Sequence, residues 1–262
     1  MKAADIAKIV EEFAPLSLQE SYDNSGFTVG RCEREVYGVL LAVDVTEAVI
    51  EEAVKLGANM IITHHPIIFN PLKRLTSSTY VEKCVEAAIK NDIILYAAHT
   101  NLDSTPEGMS WRVGEILGVK NMKVLSSTSP QAGVGFGVVG DVDMECSVAD
   151  YIKYVGRQLN CKAVRCSEIV GDRCRRIAIC TGSGGSLISA ARNEGVDLYV
   201  TADLKYNDFM TPDSEFTVVD VGHYESEYCV IDILFDILSK KIINFAVHKS
   251  RCTRNPINYI SL

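Results

Sequence analysis

No stretch of the chain approaches the roughly 18 uninterrupted apolar residues that a membrane-spanning helix needs. The first residues, Met1 to Leu16, are amphipathic and carry acidic groups where a secretory leader would place an apolar core. A cytoplasmic location with no membrane partner is expected. Positive charge is also short: 26 Lys and Arg against 34 Asp and Glu give a net charge of −8. A broad phosphate-binding footprint needs clustered cations, so nucleic acid is disfavoured as a partner. The short basic runs at Arg173 to Arg176 and Lys249 to Arg254 read as solvated loop charge. CxxC pairs are absent. Nine cysteines, an odd number whose closest spacings are Cys161 to Cys166 and Cys174 to Cys180, make neither a zinc ribbon nor a disulfide framework. Cys84, Cys180 and Cys229 sit among apolar residues as small hydrophobes, and reduced thiols are expected.

Histidine is scarce, five in 262 residues, and its placement is therefore informative. Ile61-Ile62-Thr63-His64-His65-Pro66 delivers two adjacent imidazoles at the end of a buried strand, and Pro66 stops further pairing. Successive side chains on a strand point to opposite faces, so two histidines diverging from one backbone site suit two ions side by side. A bare pair of loop histidines is the plainer reading until the rest of the chain is considered.

Apolar residues at 47% and charged residues at 23% describe an ordinary globular chain, long enough for one large α/β unit or two lobes. Ile6, Ile9, Val10 and Phe13 recur at helical spacing and stop at Pro15. A turn at Tyr22 to Gly26 leads into a strand at Phe27 to Val29. Val39 to Val43 is a buried strand, and Thr46 caps a helix that ends at Leu56 before Gly57. The His-His strand follows, then a helix at Thr79 to Lys90, a strand at Ile93 to Ala98, the turn HTNLD, and a helix from Gly108 to Leu117. Residues 118 to 132 read as a connector.

Beyond it the pattern predicts strands at Val134 to Val139, Ile177 to Cys180, Leu198 to Thr201 and Phe216 to Val221. Helices are expected at Val148 to Leu159, Leu187 to Glu194, Leu204 to Met210 and, as one long apolar run, Glu225 to Lys240. Residues 39 to 65 lie on 177 to 203 with one offset and no gap, Ala53 on Ala191, Gly57 on Gly195, Thr63 on Thr201. Each half then reaches an apolar strand and a histidine with a carboxylate four residues on: His99 with Asp103, His223 with Glu227. The expected fold is thus α/β, two similar lobes with mixed sheets flanked by helices, with equivalent strand ends facing one another across a cleft. The first lobe is placed at 1 to 128, the second at 129 to 248, and a return segment at 249 to 262.

His223 and Glu227 share a face if a helix has begun by Tyr224, a spacing that seats a divalent ion. Dipole complementation at a helix start would account for Glu225 and Glu227 but not for His223. Four of the five histidines stand at strand ends; His248 reads as structural. Together His64, His65, Asp103, His223 and Glu227 offer three imidazoles and two carboxylates, too many for one tetrahedral site and suited to two bridged ions. Zinc, iron, manganese, cobalt and nickel all accept such ligands. Hydrolysis is the natural reaction class.

In order along the chain, YDNSGFTVG, VDVT, ITHHPIIF, HTNLD, TGSGGS and GHYESE resemble the NIF-three-like family (NGG-interacting factor three), whose members carry the name GTP cyclohydrolase I type 2. The resemblance implies two α/β lobes around a dinuclear site, with ligands at His64, His65, Asp103, His223 and Glu227, and assembly into a homohexameric ring. Some members hold an inserted middle domain for which this chain is too short. Where members place an acidic residue and a histidine after a TG pair, this chain reads Thr201-Ala202-Asp203-Leu204-Lys205-Tyr206-Asn207-Asp208.

The expected activity is hydrolysis of a small nucleotide-like or phosphorylated molecule, with His99 as proton carrier or as a partner orienting the ligands. TGSGGS reads as a tight turn, with anion binding at the following helix as the alternative. A non-catalytic metal-binding or regulatory protein forming a ring is the competing class.

Overall fold

Ala3, Ile6, Ala7 and Val10 line one face of the first helix, α1 (Ala3–Phe13), and all four are buried. That face packs into the first of two compact units of the chain, Met1–Thr105 with Val230–Arg254; the second comprises Pro106–Cys229 and the segment from Asn255. The computed structural model describes residues 1 to 260 of the chain.

In the first unit β1 (Gly26–Val29), β2 (Gly38–Ala42), helix α2 (Glu47–Leu56), β3 (Met60–Thr63), helix α3 (Tyr80–Lys90), β4 (Ile94–Ala97) and the short helix α4 (Thr100–Ser104) follow in order. Thr46 accepts a hydrogen bond from Val49 N, and Gly57 closes α2 with φ +70°, a conformation costly for any residue with a Cβ. The second unit runs through α5 (Met109–Ile116), β5 (Lys120–Ser127), β6 (Gly135–Asp141), α6 (Val148–Gln158), β7 (Arg165–Cys166), β8 (Arg176–Ser183), α7 (Ile188–Asn193), β9 (Leu198–Ala202), β10 (Thr217–Asp220) and α8 (His223–Glu227). The chain then returns to the first unit as α9 (Val230–Lys241) and β11 (Ala246–Lys249).

The first sheet has the order β1-β4-β3-β2-β11, parallel except for β1. Leu40, Ala42, Ile61 and Leu95 face a core shared with Val49, Ile50 and Ala53 of α2 and Cys84, Val85 and Ala88 of α3. Alternation sends Val39, Leu41, Ile62 and Tyr96 to the other face, also buried, where the Tyr96 hydroxyl donates to Glu11 of α1. Strands buried on both faces explain the unbroken apolar runs.

The second sheet has the order β5-β6-β8-β9-β10-β7, with β8, β9 and β10 parallel and the others antiparallel. Ala178, Cys180, Ile188, Ala191, Tyr199 and Val218 form its core. The offset seen in the sequence carries the pairing register as well: Val39↔Met60 maps onto Ile177↔Leu198, and Leu41↔Ile62 onto Ile179↔Val200. Both sheets are mixed and flanked by helices, as the sequence predicts.

Several expectations need correction. Residues 120 to 127 are not a connector but strand β5, an edge strand exposed at its polar residues. TGSGGS is not wholly a turn: Thr181 to Ser183 complete β8, and Gly185–Leu187 forms a 3-10 turn. The long apolar helix is two, broken at Tyr228 and Cys229 where the chain crosses from one unit to the other. Residues 230 to 248, expected in the second lobe, pack in the first because β11 pairs in parallel with β2. His248 lies on β11, half-buried, away from any strand end that carries the other histidines.

Candidate metal centre

Parallel strands collect their loops at the carboxyl ends, and the chemistry of each unit lies there. In the first unit β3 ends in the tandem histidines. The amides of His64 and His65 both donate to the carbonyl of Val43, at 3.1 and 3.2 Å, and the Thr63 hydroxyl donates to the His65 carbonyl at 2.8 Å. The ladder is thereby broken at His64. Instead of diverging, the two rings turn to the same place, their centroids 5.0 Å apart. His99, which caps α4 after β4, brings a third ring 5.2 and 5.5 Å from them. One nitrogen from each of the three lies within 4.8 Å of the others. Asp103 of α4 points an oxygen at His64 Nε2, 3.6 Å away.

Each ring is held by its other nitrogen. His64 Nδ1 donates to the Ala98 carbonyl at 2.8 Å, His65 Nδ1 to Asp44 at 2.7 Å and His99 Nδ1 to Asp23 at 2.7 Å. Carbonyls and ionised carboxylates only accept, so Nδ1 carries the proton and the lone pair of a neutral ring is on Nε2. Burial opposes ionisation of Asp23, yet hydrogen bonds from His99, Thr100 and Ser25 outweigh it and hold the carboxyl far below the usual carboxylate range.

The second unit repeats the device. His223 opens α8 after β10; its Nδ1 donates to Asp203 at 2.7 Å, and its Nε2 lies 3.0 Å from Glu227, one turn along the same helix. Burial disfavours charge on this imidazole, but hydrogen bonds to Asp203 and Glu227 prevail and raise its pKa to about 11. Asp203 follows β9 with φ +56°, a left-handed conformation that aspartate tolerates better than most side chains.

The glycine-rich segment supports this helix. Gly182 N donates to the Ser226 hydroxyl at 2.9 Å, which donates to the His223 carbonyl at 2.8 Å. A Cβ at Gly182, where φ is +62°, would run into the Glu227 carboxylate, so the absent side chain is what lets β8 pass beneath the metal-ligand candidates. Asp220, at the end of β10, accepts from the amides of Leu204 and Gly222 at 3.0 Å each and from Arg165, shaping the turn before His223.

The six residues singled out in the sequence therefore fall into two groups: His64, His65, His99 and Asp103 in the first unit, His223 and Glu227 in the second. His99, expected as a proton carrier, stands among the tandem imidazoles. The residues that sequence reasoning passed over are the acceptors Asp23, Asp44 and Asp203. One signal was present: the internal overlay that ends on His65 in the first copy ends on Asp203 in the second. The donor set, imidazole Nε2 atoms beside carboxylate oxygens with every Nδ1 anchored, fits divalent transition ions.

The chain is similar to known proteins over nearly its whole length. A family model described as Duf34/NIF3 (NGG1p interacting factor 3) matches residues 1 to 256. A Clostridium perfringens protein named GTP cyclohydrolase 1 type 2 homolog is 34% identical over 265 residues, 99% of this chain and 100% of that one. A Clostridium acetobutylicum protein of the same name is 33% identical, over 95% of this chain and 92% of its own. Among solved structures, a Bacillus cereus protein related to NIF3 superposes with a TM-score of 0.91 at 25% identity, covering 99% of each chain. Reduced HcgD from Methanocaldococcus jannaschii does so at 0.79 and 28% identity, over 95% of this chain and 97% of that one.

Proposed function

Because the chain belongs to the Duf34/NIF3 family, we propose that it is a metal-dependent hydrolase that uses a pair of divalent ions. One observation carries this reading. All four histidines at strand ends have Nδ1 fixed on an acceptor-only oxygen, which turns Nε2 to the chemistry, as a ligand atom in His64, His65 and His223 and as a proton acceptor in His99; this is how proteins orient imidazoles toward transition metals. A histidine that serves only the fold has no need of the same nitrogen held four times over.

His64, His65, Asp103, His223 and Glu227 are the residues that would hold the ions. Bound there, divalent ions would lower the pKa of a coordinated water and offset negative charge developing on a substrate. His99 is the proton carrier: Asp23 binds its Nδ1 and stays ionised, so the ring keeps one tautomer and can take a proton at Nε2. Thr63 and Pro66, both buried, flank the tandem rings, and the Thr63 hydroxyl fixes their turn by donating to the His65 carbonyl. The substrate is a small phosphorylated or nucleotide-like compound, the class that the relatives' name suggests. Copies are expected to assemble into a ring of six.

The test is turnover by the metal-reconstituted protein against nucleotides, GTP included, and phosphoesters, with His65→Ala beside it. Hydrolysis should fall at least about a hundredfold in the variant, as for loss of a group that acts in the transition state. Activity that survives the substitution, or that needs no divalent ion, would sink the proposal.

A further inference from the structure

The geometry points to a ring-binding subsite beside the imidazole cluster, made by Phe69 and Tyr22, that seats a planar conjugated ring of the substrate. It rests on the hydrolase reading above and narrows its substrate class. Past Pro66 the chain first anchors itself: Ile67 is buried, and Ile68 packs against the first unit's core. The next apolar residue does the opposite. Phe69 is 44% exposed, and Tyr22, on the turn before β1, is 65% exposed. Their rings touch, centroids 6.5 Å apart at 59°, and Phe69 stands edge-on to His99 at 6.1 Å and 86°.

These rings are placed, not loose. Asn24 Nδ2 donates to the Ile68 carbonyl at 2.6 Å, pinning one aromatic's loop to the other's turn. Asp23, next to Tyr22, is the carboxylate that orients His99. Tyr22 and Phe69 are therefore carried by the segment whose Asp23 orients His99 and by the one that continues from the tandem histidines. Two open aromatic faces beside a polar cluster favour a flat π system, which can stack on one and meet the other edge-on; an aliphatic chain gains no such orientation.

The experiment is calorimetric binding to the full-length, manganese-loaded protein of adenosine, guanosine and uridine 5′-monophosphates, against ribose 5-phosphate, which lacks the ring. Native protein, Phe69→Ala, Phe69→Leu and Tyr22→Ala are compared, with metal content, melting temperature and subunit assembly read on the same samples. At least one ring-bearing probe should bind about tenfold more tightly than ribose 5-phosphate. Phe69→Ala should remove most of that preference, and Phe69→Leu should restore packing without restoring it, while metal content stays unchanged. Equal binding of all four probes by the native protein, undetectable binding included, overturns the subsite. So does a preference that survives both alanine variants, or a change of assembly with the preference intact, which would assign the rings to contacts between copies. A chain that takes up no ions fails the metal reading instead, and the ring preference is still measured on it.

Discussion

Asp23, Asp44 and Asp203 each accept from Nδ1 of a different histidine, two in the first unit and one in the second. Such partners fix ring orientation and raise ligand basicity, and their loss typically weakens metal binding about 10- to 100-fold. Asp203→Asn is the sharpest test, because asparagine tolerates the left-handed backbone and keeps an acceptor oxygen while removing the charge. Zinc affinity, measured by chelator competition, should drop about tenfold with the melting curve of the metal-free protein little changed. These three aspartates were hidden in the sequence for a physical reason. Loops are rich in aspartate that caps turns, and nothing local separates one that caps from one that reaches across 20 or more positions to an imidazole. The histidines stood out because there are so few.

At the scale of elements, Glu52 of α2 holds the far end of the chain. Its carboxylate accepts from the Ser250 hydroxyl and from the amides of Arg251 and Cys252, at 2.5, 2.9 and 3.2 Å. Burial raises its pKa, the three hydrogen bonds lower it further, and the net position is below 4.5. A carboxyl depressed on folding contributes stability that is present above its unfolded pKa and is lost as pH falls through the folded value. Thermal melts should therefore show a loss below about pH 4.3 that Glu52→Gln abolishes by lowering stability at neutral pH instead. Elements with strong local signals were legible: α2 between Thr46 and Gly57, the apolar strands β2, β3 and β4, and the repeat that ties β2 and β3 to β8 and β9. Strand β5 was not, since Lys120, Asn121 and Lys123 lie exposed on an edge where no apolar alternation is required. The break between α8 and α9 was equally silent, because buried residues continue on both sides of it: Glu227 and Cys229, then Val230 and Ile231.

At the scale of the whole molecule, the two units are not consecutive in the chain. The first is begun by residues 1 to 105 and completed by 230 to 254, with β11 pairing along β2 and Leu234 and Leu238 of α9 buried. A chain ended at Lys241 would leave β2 as an unpaired sheet edge and strip Glu52 of its partners. Hydrogen exchange should quicken in β2 and α2 and the melting temperature should fall, while β8, β9 and β10 keep their protection. Uniform protection in the shortened chain would show β11 to be dispensable. Among the described residues no helix is long and apolar enough to cross a membrane.

The late arrival of β11 also orders events during synthesis. A ribosome delivers His64, His65 and His99 early, yet the sheet that carries them lacks its border strand until residue 249 has emerged. Residues 106 to 229 have all their strands by then. The nascent protein thus has every strand of its second sheet before the first sheet is complete, and the sheet that bears the tandem imidazoles gains its border only after a long detour of the chain.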